Sequence, residues 1–182
     1  SSKGSEEALN TLLIAARTGE GFIKITGEVG TGKTLLCRRL IENLAHDFKI
    51  AYIPNPYVEP RALSKELASE FGVELPSDEK LDQHELLKAL TRSLLTFIKD
   101  GKRIAIILDE AQAMPLETLE ALRLLTNLET AKRKLVQVII FGQPELEDKL
   151  NHPSIRQLKQ RIAFDYHLSP LTRRELDYYV HH

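Results

Sequence analysis

Apolar runs alternate along this chain with amphipathic segments, in the order expected when strands and helices follow one another. The amphipathic segments carry apolar residues at helical spacing, whereas the apolar runs are short and bounded by turn residues. This alternation is typical of βαβ units, so we expect an α/β fold with a mainly parallel five-stranded sheet between helices. The predicted strands are 22–26, 49–53, 104–108, 135–141 and 163–168, and the predicted helices are 5–18, 33–45, 60–71, 82–98, 115–128, 144–150 and 153–161.

Several predicted helix ends carry capping signals. Ser5 precedes two glutamates and predicts the N-cap of the first helix, and Asp82 with Glu85 has the spacing of a capping box. Gly72 predicts a left-handed end to the helix before it. The run at 104–108 shows no polar alternation, which favours a strand that is covered on both faces.

Composition and charge narrow the class of protein. The chain has 182 residues, 42% hydrophobic and 28% charged, which excludes a disordered polymer. Its 25 Lys and Arg balance 26 Asp and Glu, so no strong non-specific attraction to nucleic acid or anionic membranes is expected. One cysteine, Cys37, excludes an internal disulfide and a thiolate-based zinc site, and a buried, small apolar role is its expected one.

The most specific motif lies between the first predicted strand and the helix after it. Residues 27–34 read GEVGTGKT and fit G-x-x-x-x-G-K-[ST] at every fixed position, a match with chance odds on the order of 1%. Glycines let successive N–H groups point at one anion, Lys33 supplies charge to the β- and γ-phosphates, and Thr34 offers a hydroxyl to Mg²⁺. We therefore expect ATP or ADP to bind here. The predicted nucleotide-binding residues are Gly27, Glu28, Val29, Gly30, Thr31, Gly32, Lys33, Thr34 and Leu35.

The apolar run at 104–108 ends in two acids, Asp109 and Glu110. The carboxyl ends of parallel strands face the ligand crevice of an open α/β sheet. Asp109 can hold Mg²⁺ through water, and Glu110 can orient and deprotonate an attacking water. The alternative is structural, since both acids could cap the helical segment that follows. The phosphate loop favours the catalytic interpretation, and the glutamate favours hydrolysis over a kinase reaction, which must exclude water.

Two further polar positions follow along the chain. Gln143 comes directly after the fourth predicted strand, where it can reach a γ-phosphate or the attacking water; the alternative is a surface turn. Arg156 and Arg161 lie on the next predicted helix, and either could cross a subunit boundary as an arginine finger. Arg161 is preferred because it directly precedes the last strand. The alternative is a solvated basic face, since Lys159 lies there too.

These motifs occur with other specific stretches, in one order. The set is TGEVGTGKT at 26–34, LDEAQ at 108–112, LRLLTNLET at 122–130, FGQPEL at 141–146 and RQLKQRI at 156–162. It closely resembles the ExeA/GspA/MshM-type AAA+ ATPases of bacterial general secretion and MSHA-type pilus biogenesis over nearly the whole chain, and the pilus branch is nearer at 153–158. The resemblance implies a AAA+ P-loop core, ATP hydrolysis, self-assembly with nucleotide at subunit interfaces, Gln143 as sensor 1, and Arg161 acting in trans.

The resemblance also implies a domain division. We expect the ATPase core over residues 1–171 and the start of a truncated helical lid over 172–182, where Thr172 and Glu175 have capping-box spacing. Only the start of the lid is expected within these residues, so no sensor-2 arginine is assigned. Ser5 stands where the family is expected to carry histidine, so adenine contacts at 4–9 are not assigned either.

Three functions are compatible with these residues. The first is an ATPase that drives assembly of a secretion or type IV (MSHA-like) pilus machine, with the assembly proteins as partners, at the cytoplasmic face of the bacterial inner membrane. The second is a DNA-linked AAA+ regulator similar to transposition or origin-binding ATPases, which the near-zero net charge disfavours. The third is a scaffold that binds ATP with little turnover, which Glu110 and Gln143 disfavour.

Overall fold

The computed structural model describes residues 3–77, 79–127 and 134–169. Helices and strands alternate in the predicted order, and no helix within these ranges is long and apolar enough to cross a membrane. The predicted lid segment 172–182 lies outside the described residues. The elements are α1 (Lys3–Thr18), β1 (Phe22–Gly27), α2 (Lys33–Leu44), β2 (Phe48–Ile53), α3 (Pro60–Phe71), α4 (Gln83–Lys99), β3 (Arg103–Leu108), a 3-10 turn (Ala111–Ala113), α5 (Leu116–Leu125), β4 (Val136–Gly142), α6 (Glu145–Leu150), a second 3-10 turn (Pro153–Ile155), α7 (Arg156–Arg161) and β5 (Ile162–Leu168).

The five strands form one parallel sheet in the order β2-β3-β4-β1-β5, which confirms the predicted fold class. Because every strand runs the same way, the carboxyl ends of β3, β4 and β1 lie side by side. The register pairs Leu108 with Ile140 and Thr26 with Gly142. The end of β4 is therefore flanked on one side by the acids that follow β3 and on the other by the loop that follows β1.

Two apolar layers cover the faces of the sheet. One layer packs against α1 and α2, and the other packs against α3, α4 and α5. In β3, Ile104 and Ile106 enter one layer while Ala105 and Ile107 enter the other, and all four are fully buried. This confirms the prediction of a strand covered on both faces, and it fixes β3 as a rigid support for the acids at its end.

The capping predictions have mixed outcomes. Asp82 caps α4, since its Oδ1 accepts the N–H of Glu85 at 2.8 Å, and Gly72 ends α3 with a φ of 69°. The Ser5 cap is wrong, because α1 begins at Lys3 and Ser5 lies inside its first turns. The first turn of α1 is instead tied to α2 by an ion pair of 2.6 Å between Glu6 and Arg39, a contact that local sequence does not show.

Two predicted helices are shorter than their apolar patterns suggest. Helix α5 ends at Leu125, before the predicted end at 128, because the hydroxyl of Thr126 bonds the carbonyl of Arg123 at 2.8 Å and competes with the helical ladder. The predicted helix at 153–161 is divided into a 3-10 turn and α7. The division falls at Ile155, whose φ of −118° is not helical and whose side chain is buried in the core.

One buried charge links the edge strand β5 to its neighbour β1. Lys24 of β1 is 2% exposed, and its ammonium forms ion pairs with Glu147 of α6 and, at 2.9 Å, with Asp165 of β5. Asp165 is also the register partner of Lys24. A buried charge needs such partners. The three side chains therefore hold α6, β1 and β5 together and set the position of the α6–α7 segment that carries the two candidate finger arginines.

Candidate functional site

The phosphate loop joins β1 to α2 by way of left-handed turns. Gly30 and Gly32 have φ values of 86° and 85°, and Gly32 is the N-cap of α2. A Cβ at either position would contact no other atom, so glycine is required here by the positive φ and not by a lack of space. The hydrogen-bond ladder of α2 begins with the N–H of Leu36, which donates to Gly32. The N–H groups of residues 33–35 are therefore not used by the helix and can bind an anion.

The ammonium of Lys33 lies inside the loop. Lys33 is buried, and its Nζ donates to the carbonyl of Gly27 at 2.5 Å and to that of Glu28 at 3.4 Å. Thr31 stiffens the same turn, since its Oγ1 donates to the Glu28 carbonyl at 2.7 Å. The loop thus combines a full positive charge with main-chain N–H groups at a helix N-terminus, which suits a polyphosphate.

Asp109 lies buried at the end of β3. Its main-chain N–H continues the pairing with β2 by donating to Ile53 at 3.0 Å, and its Oδ1 accepts the N–H of Glu110 at 2.8 Å. Burial raises the pKa of the Asp109 carboxyl above its ordinary value; the charge of Glu110 adds to the rise, while the Glu110 N–H and the charge of Lys33 oppose it. The phosphate loop and the acid lie at the same end of the sheet, because β1 and β3 both pair with β4 in parallel.

The donor set fits a hard divalent cation. Mg²⁺ takes oxygen ligands, keeps several waters and needs few carboxylates from the protein. The Asp109 carboxylate, together with the exposed Thr34 at the start of α2, offers such oxygens beside the loop. Within the described ranges, no group of three or more His, Cys, Asp or Glu side chains is placed to hold a metal by itself.

Glu110 adopts a strained backbone. Its φ of 52° and ψ of 41° are left-handed, and among the described residues no other non-glycine has a positive φ. Its side chain makes no cap hydrogen bond to the 3-10 turn that follows. Its Oε2 instead accepts from Nε2 of Gln112 at 2.5 Å. The structural alternative for Glu110, a helix cap, is therefore not supported, and the carboxylate is left half-buried beside the sheet edge.

Gln112 is the residue that sequence reasoning missed. Its Oε1 accepts the main-chain N–H of Gln143 at 3.0 Å, while its Nε2 contacts Glu110. One side chain thus joins the acids after β3 to the predicted sensor position after β4. The sequence offered one signal for this residue: Gln112 is polar, lies between two alanines, and comes two positions after Glu110 at the end of the third strand.

The structure brings the loop, Asp109, Glu110 and Gln143 together, but not the two arginines. Arg161 ends α7, and the next residue, Ile162, pairs with Phe22 at the start of β1. The phosphate loop begins at Gly27, where β1 ends, five residues after Phe22, which is about 17 Å away at ~3.3 Å per residue. Arg161 therefore lies at the opposite sheet edge and cannot reach the loop of its own chain. Arg156 is exposed at the start of α7, one helix length before Arg161.

Cys37 supports the site from within α2. The side chain is buried, as predicted, and lies in the layer between α2 and the sheet. Burial, and secondarily the negative charge of Asp109, raise the pKa of its thiol to about 12. At neutral pH it is therefore an uncharged packing group, and a reactive thiolate is disfavoured.

The sequence matches known proteins over most of its length. The family described as AAA domain matches residues 16–150. The chain is 45% identical over 174 residues to General secretion pathway protein A of Aeromonas hydrophila, a match that covers 96% of this chain. It covers 31% of the relative, so the chain spans about a third of the length of that protein.

The fold also matches solved structures. Cdc6p from Pyrobaculum aerophilum superposes with a TM-score of 0.77 at 21% identity, covering 96% of this chain and 48% of the other. The ORC2 protein of Aeropyrum pernix, solved as ADPNP-ADP complexes, superposes with a TM-score of 0.69 at 21% identity, covering 97% and 49%. At such identities the likeness concerns the fold alone.

Proposed function

This chain belongs to the AAA domain family, and on that premise we propose that it binds ATP and hydrolyses it to ADP and phosphate. Its fold is the P-loop core of such proteins, a five-stranded parallel sheet between helices. One observation carries the proposal. The loop after β1, the acids after β3 and Gln143 after β4 meet at one sheet edge, although up to 116 residues separate them in sequence. A nucleotide held by the loop would lie within reach of the other groups.

In this proposal residues 27–35 bind the nucleotide. The N–H groups of the loop and of the first turn of α2 hold the phosphates. The ammonium of Lys33 leaves the carbonyls of Gly27 and Glu28 and contacts the β- and γ-phosphates. Thr34 and Asp109 hold Mg²⁺, which when bound neutralises phosphate charge. The buried position of Asp109 keeps its carboxylate fixed for this purpose.

Hydrolysis is assigned to Glu110 and Gln143. The oxygen of a water forms a bond to the γ-phosphorus, the bond from that phosphorus to the bridging oxygen of ADP breaks, and a proton of the water passes to the Glu110 carboxylate. Gln143 contacts the γ-phosphate or the water from the end of β4. Both side chains are half-buried, which limits their freedom at the moment of reaction.

A second subunit completes the site in this proposal. Because Arg161 lies beside the start of β1, and the loop of its own chain begins about 17 Å away at the other end of that strand, it can act as an arginine finger only on the nucleotide of a neighbour. Self-association with nucleotide at the interface is therefore part of the proposal. Arg156, at the other end of α7, is the reserve candidate for the same role.

The biological role follows from the secretion relative. The 45% identity with the Aeromonas protein confirms the resemblance to the ExeA/GspA-type ATPases. We infer that ATP turnover here is coupled to assembly of a secretion or type IV (MSHA-like) pilus machine at the cytoplasmic face of the inner membrane. A DNA-linked role is less favoured, since the net charge is −1; strong stimulation of the ATPase by DNA would support it instead.

Replacing Lys33 by alanine tests nucleotide binding. The variant should bind ATP at least tenfold more weakly, because charge-assisted hydrogen bonds contribute roughly 1.5–3 kcal/mol each. Titration with a fluorescent ATP analogue measures the affinity, and Lys65→Ala, an exposed lysine on α3, is the matched control. Affinity of Lys33→Ala within a few-fold of wild type would refute the assignment of the phosphate loop.

A further inference from the structure

Gln112 contacts both sides of the candidate site, and we propose that it is a positioning residue for the base of ATP hydrolysis. In this assignment, which rests on the proposed function, Gln112 fixes the carboxylate of Glu110 relative to the end of β4. The two contacts that carry it are the 2.5 Å bond from Gln112 Nε2 to Glu110 and the 3.0 Å bond from the Gln143 N–H to Gln112 Oε1.

The orientation of the Gln112 amide follows from its partners. The main-chain N–H of Gln143 can only donate, so it requires the amide oxygen to face it. The amide NH₂ must then face Glu110, whose ionised carboxylate can only accept. Each hydrogen bond therefore fixes the direction of the other, and a flipped amide would lose both.

The turn that carries Gln112 is held at both ends. At its start, Asp109 accepts the N–H of Glu110. At its end, Lys149 of α6 donates to the carbonyl of Met114 at 2.5 Å, and the Met114 N–H closes the turn on Ala111. Gln112 thus projects from a backbone that has little freedom to move, as a positioning side chain requires.

The end of β4 is shaped to admit Gln112. A Cβ on Gly142 would lie 3.2 Å from the Gln112 amide oxygen and 2.9 Å from a methyl of Leu146, both closer than ordinary contact. A glycine at this position is what allows the amide to approach the Gln143 N–H. The close approach is therefore built into the strand end.

The consequence concerns the chemical step. A glutamate side chain without a partner samples several rotamers, whereas a charge-assisted hydrogen bond holds it in one. Because Gln112 also binds the main chain of Gln143, the carboxylate of Glu110 keeps its place relative to the sensor. Loss of that bond should lower kcat and leave the binding of ATP unchanged, since the phosphate loop is not touched.

Two variants of Gln112 separate its two contacts. Gln112→Glu keeps an acceptor for the Gln143 N–H but loses the donor to Glu110, whereas Gln112→Met loses both. In the full-length protein we expect both variants to lower kcat by roughly 10- to 100-fold, with KM and the affinity for a fluorescent ATP analogue within twofold of wild type. Gln83→Glu, a half-buried glutamine at the start of α4, is the control.

The outcomes decide between positioning and mere packing. If Gln112→Glu keeps wild-type kcat while Gln112→Met is slow, Gln112 only holds the end of β4, and the proposal is overturned. A higher kcat in either variant also overturns it, because Gln112 would then hold the base away from its water. Failure of the proposed function looks different: the wild type would show no ATP turnover, or Glu110→Gln would keep full turnover.

Thermal unfolding without nucleotide gives a readout that needs no turnover. Gln112→Glu places two carboxylates together and should lower the Tm. The double variant Glu110→Gln with Gln112→Glu restores a donor and an acceptor in reversed order, so its Tm should recover towards wild type. If the change in Tm of the double variant equals the sum of the changes in the two single variants, the two side chains do not interact.

Discussion

Replacing Glu110 by glutamine is expected to slow ATP hydrolysis by about 10²–10⁴-fold and to leave ATP affinity within a few-fold of wild type. The amide has the shape of the carboxylate, and its oxygen can still accept from Gln112 Nε2, so the local structure should persist. What is lost is the group that takes a proton from water. Single-turnover phosphate release and an ATP-binding titration measure the two quantities separately.

The control for this variant is Glu117→Gln, which changes an exposed glutamate on α5. It should hydrolyse ATP at the wild-type rate. Undiminished hydrolysis by Glu110→Gln itself would return the acids after β3 to a structural role. Retained thermal stability of the variant is part of the expected result, because the neighbouring hydrogen bonds to Asp109 and Gln112 do not need the charge.

Replacing Arg161 by alanine should preserve ATP binding and lower hydrolysis by about 10³-fold in the full-length protein. The reason is geometric: Arg161 lies at the sheet edge opposite its own phosphate loop, so as a finger it can act only on the nucleotide of a neighbour. Wild-type specific activity should rise with protein concentration. Mixing Arg161→Ala with Lys33→Ala subunits should restore partial activity, since some interfaces then pair an intact loop with an intact arginine.

Arg156→Ala, tested in parallel, decides between the two arginines of α7. Arg156→Ala should keep near-wild-type hydrolysis if Arg161 is the finger. If Arg156 has that role, Arg156→Ala should lose hydrolysis and Arg161→Ala should keep it. Specific activity that does not depend on concentration, with no recovery on mixing, would rule out action in trans and leave Arg161 as part of a solvated basic face.

The local chemistry of this chain was predictable where it lies in consecutive residues. The phosphate loop places all its functional groups within residues 27–35, and the left-handed glycines found there are what the motif requires. The burial of β3 was equally predictable, since five apolar residues in a row are typical of a strand that is covered on both faces in a parallel sheet. The proposed roles of the individual site residues stay predictions until they are tested.

What the sequence did not predict depends on distant contacts. Gln112 gains its place from a strand end 31 residues further on, and the sequence around it resembles an ordinary turn. Lys24 in β1 would be expected at the surface, yet it is buried because Glu147 and Asp165 approach from later elements. The helix start at Lys3 likewise reflects the packing of α1 on α2 more than a local cap.

The left-handed backbone of Glu110 sets a trade-off between stability and activity. A residue with a side chain pays roughly 1 kcal/mol or more to hold such angles, and glycine does not. The free energy of unfolding of Glu110→Gly should therefore be about 1 kcal/mol larger than that of Glu110→Ala. In helices and strands the order is the reverse, since alanine is there the more stable of the two. Both variants lose the base and the bond to Gln112, so the difference isolates the backbone. Selection for stability alone would therefore favour glycine over alanine at this position, whereas retaining the glutamate proposed as the base incurs a conformational cost.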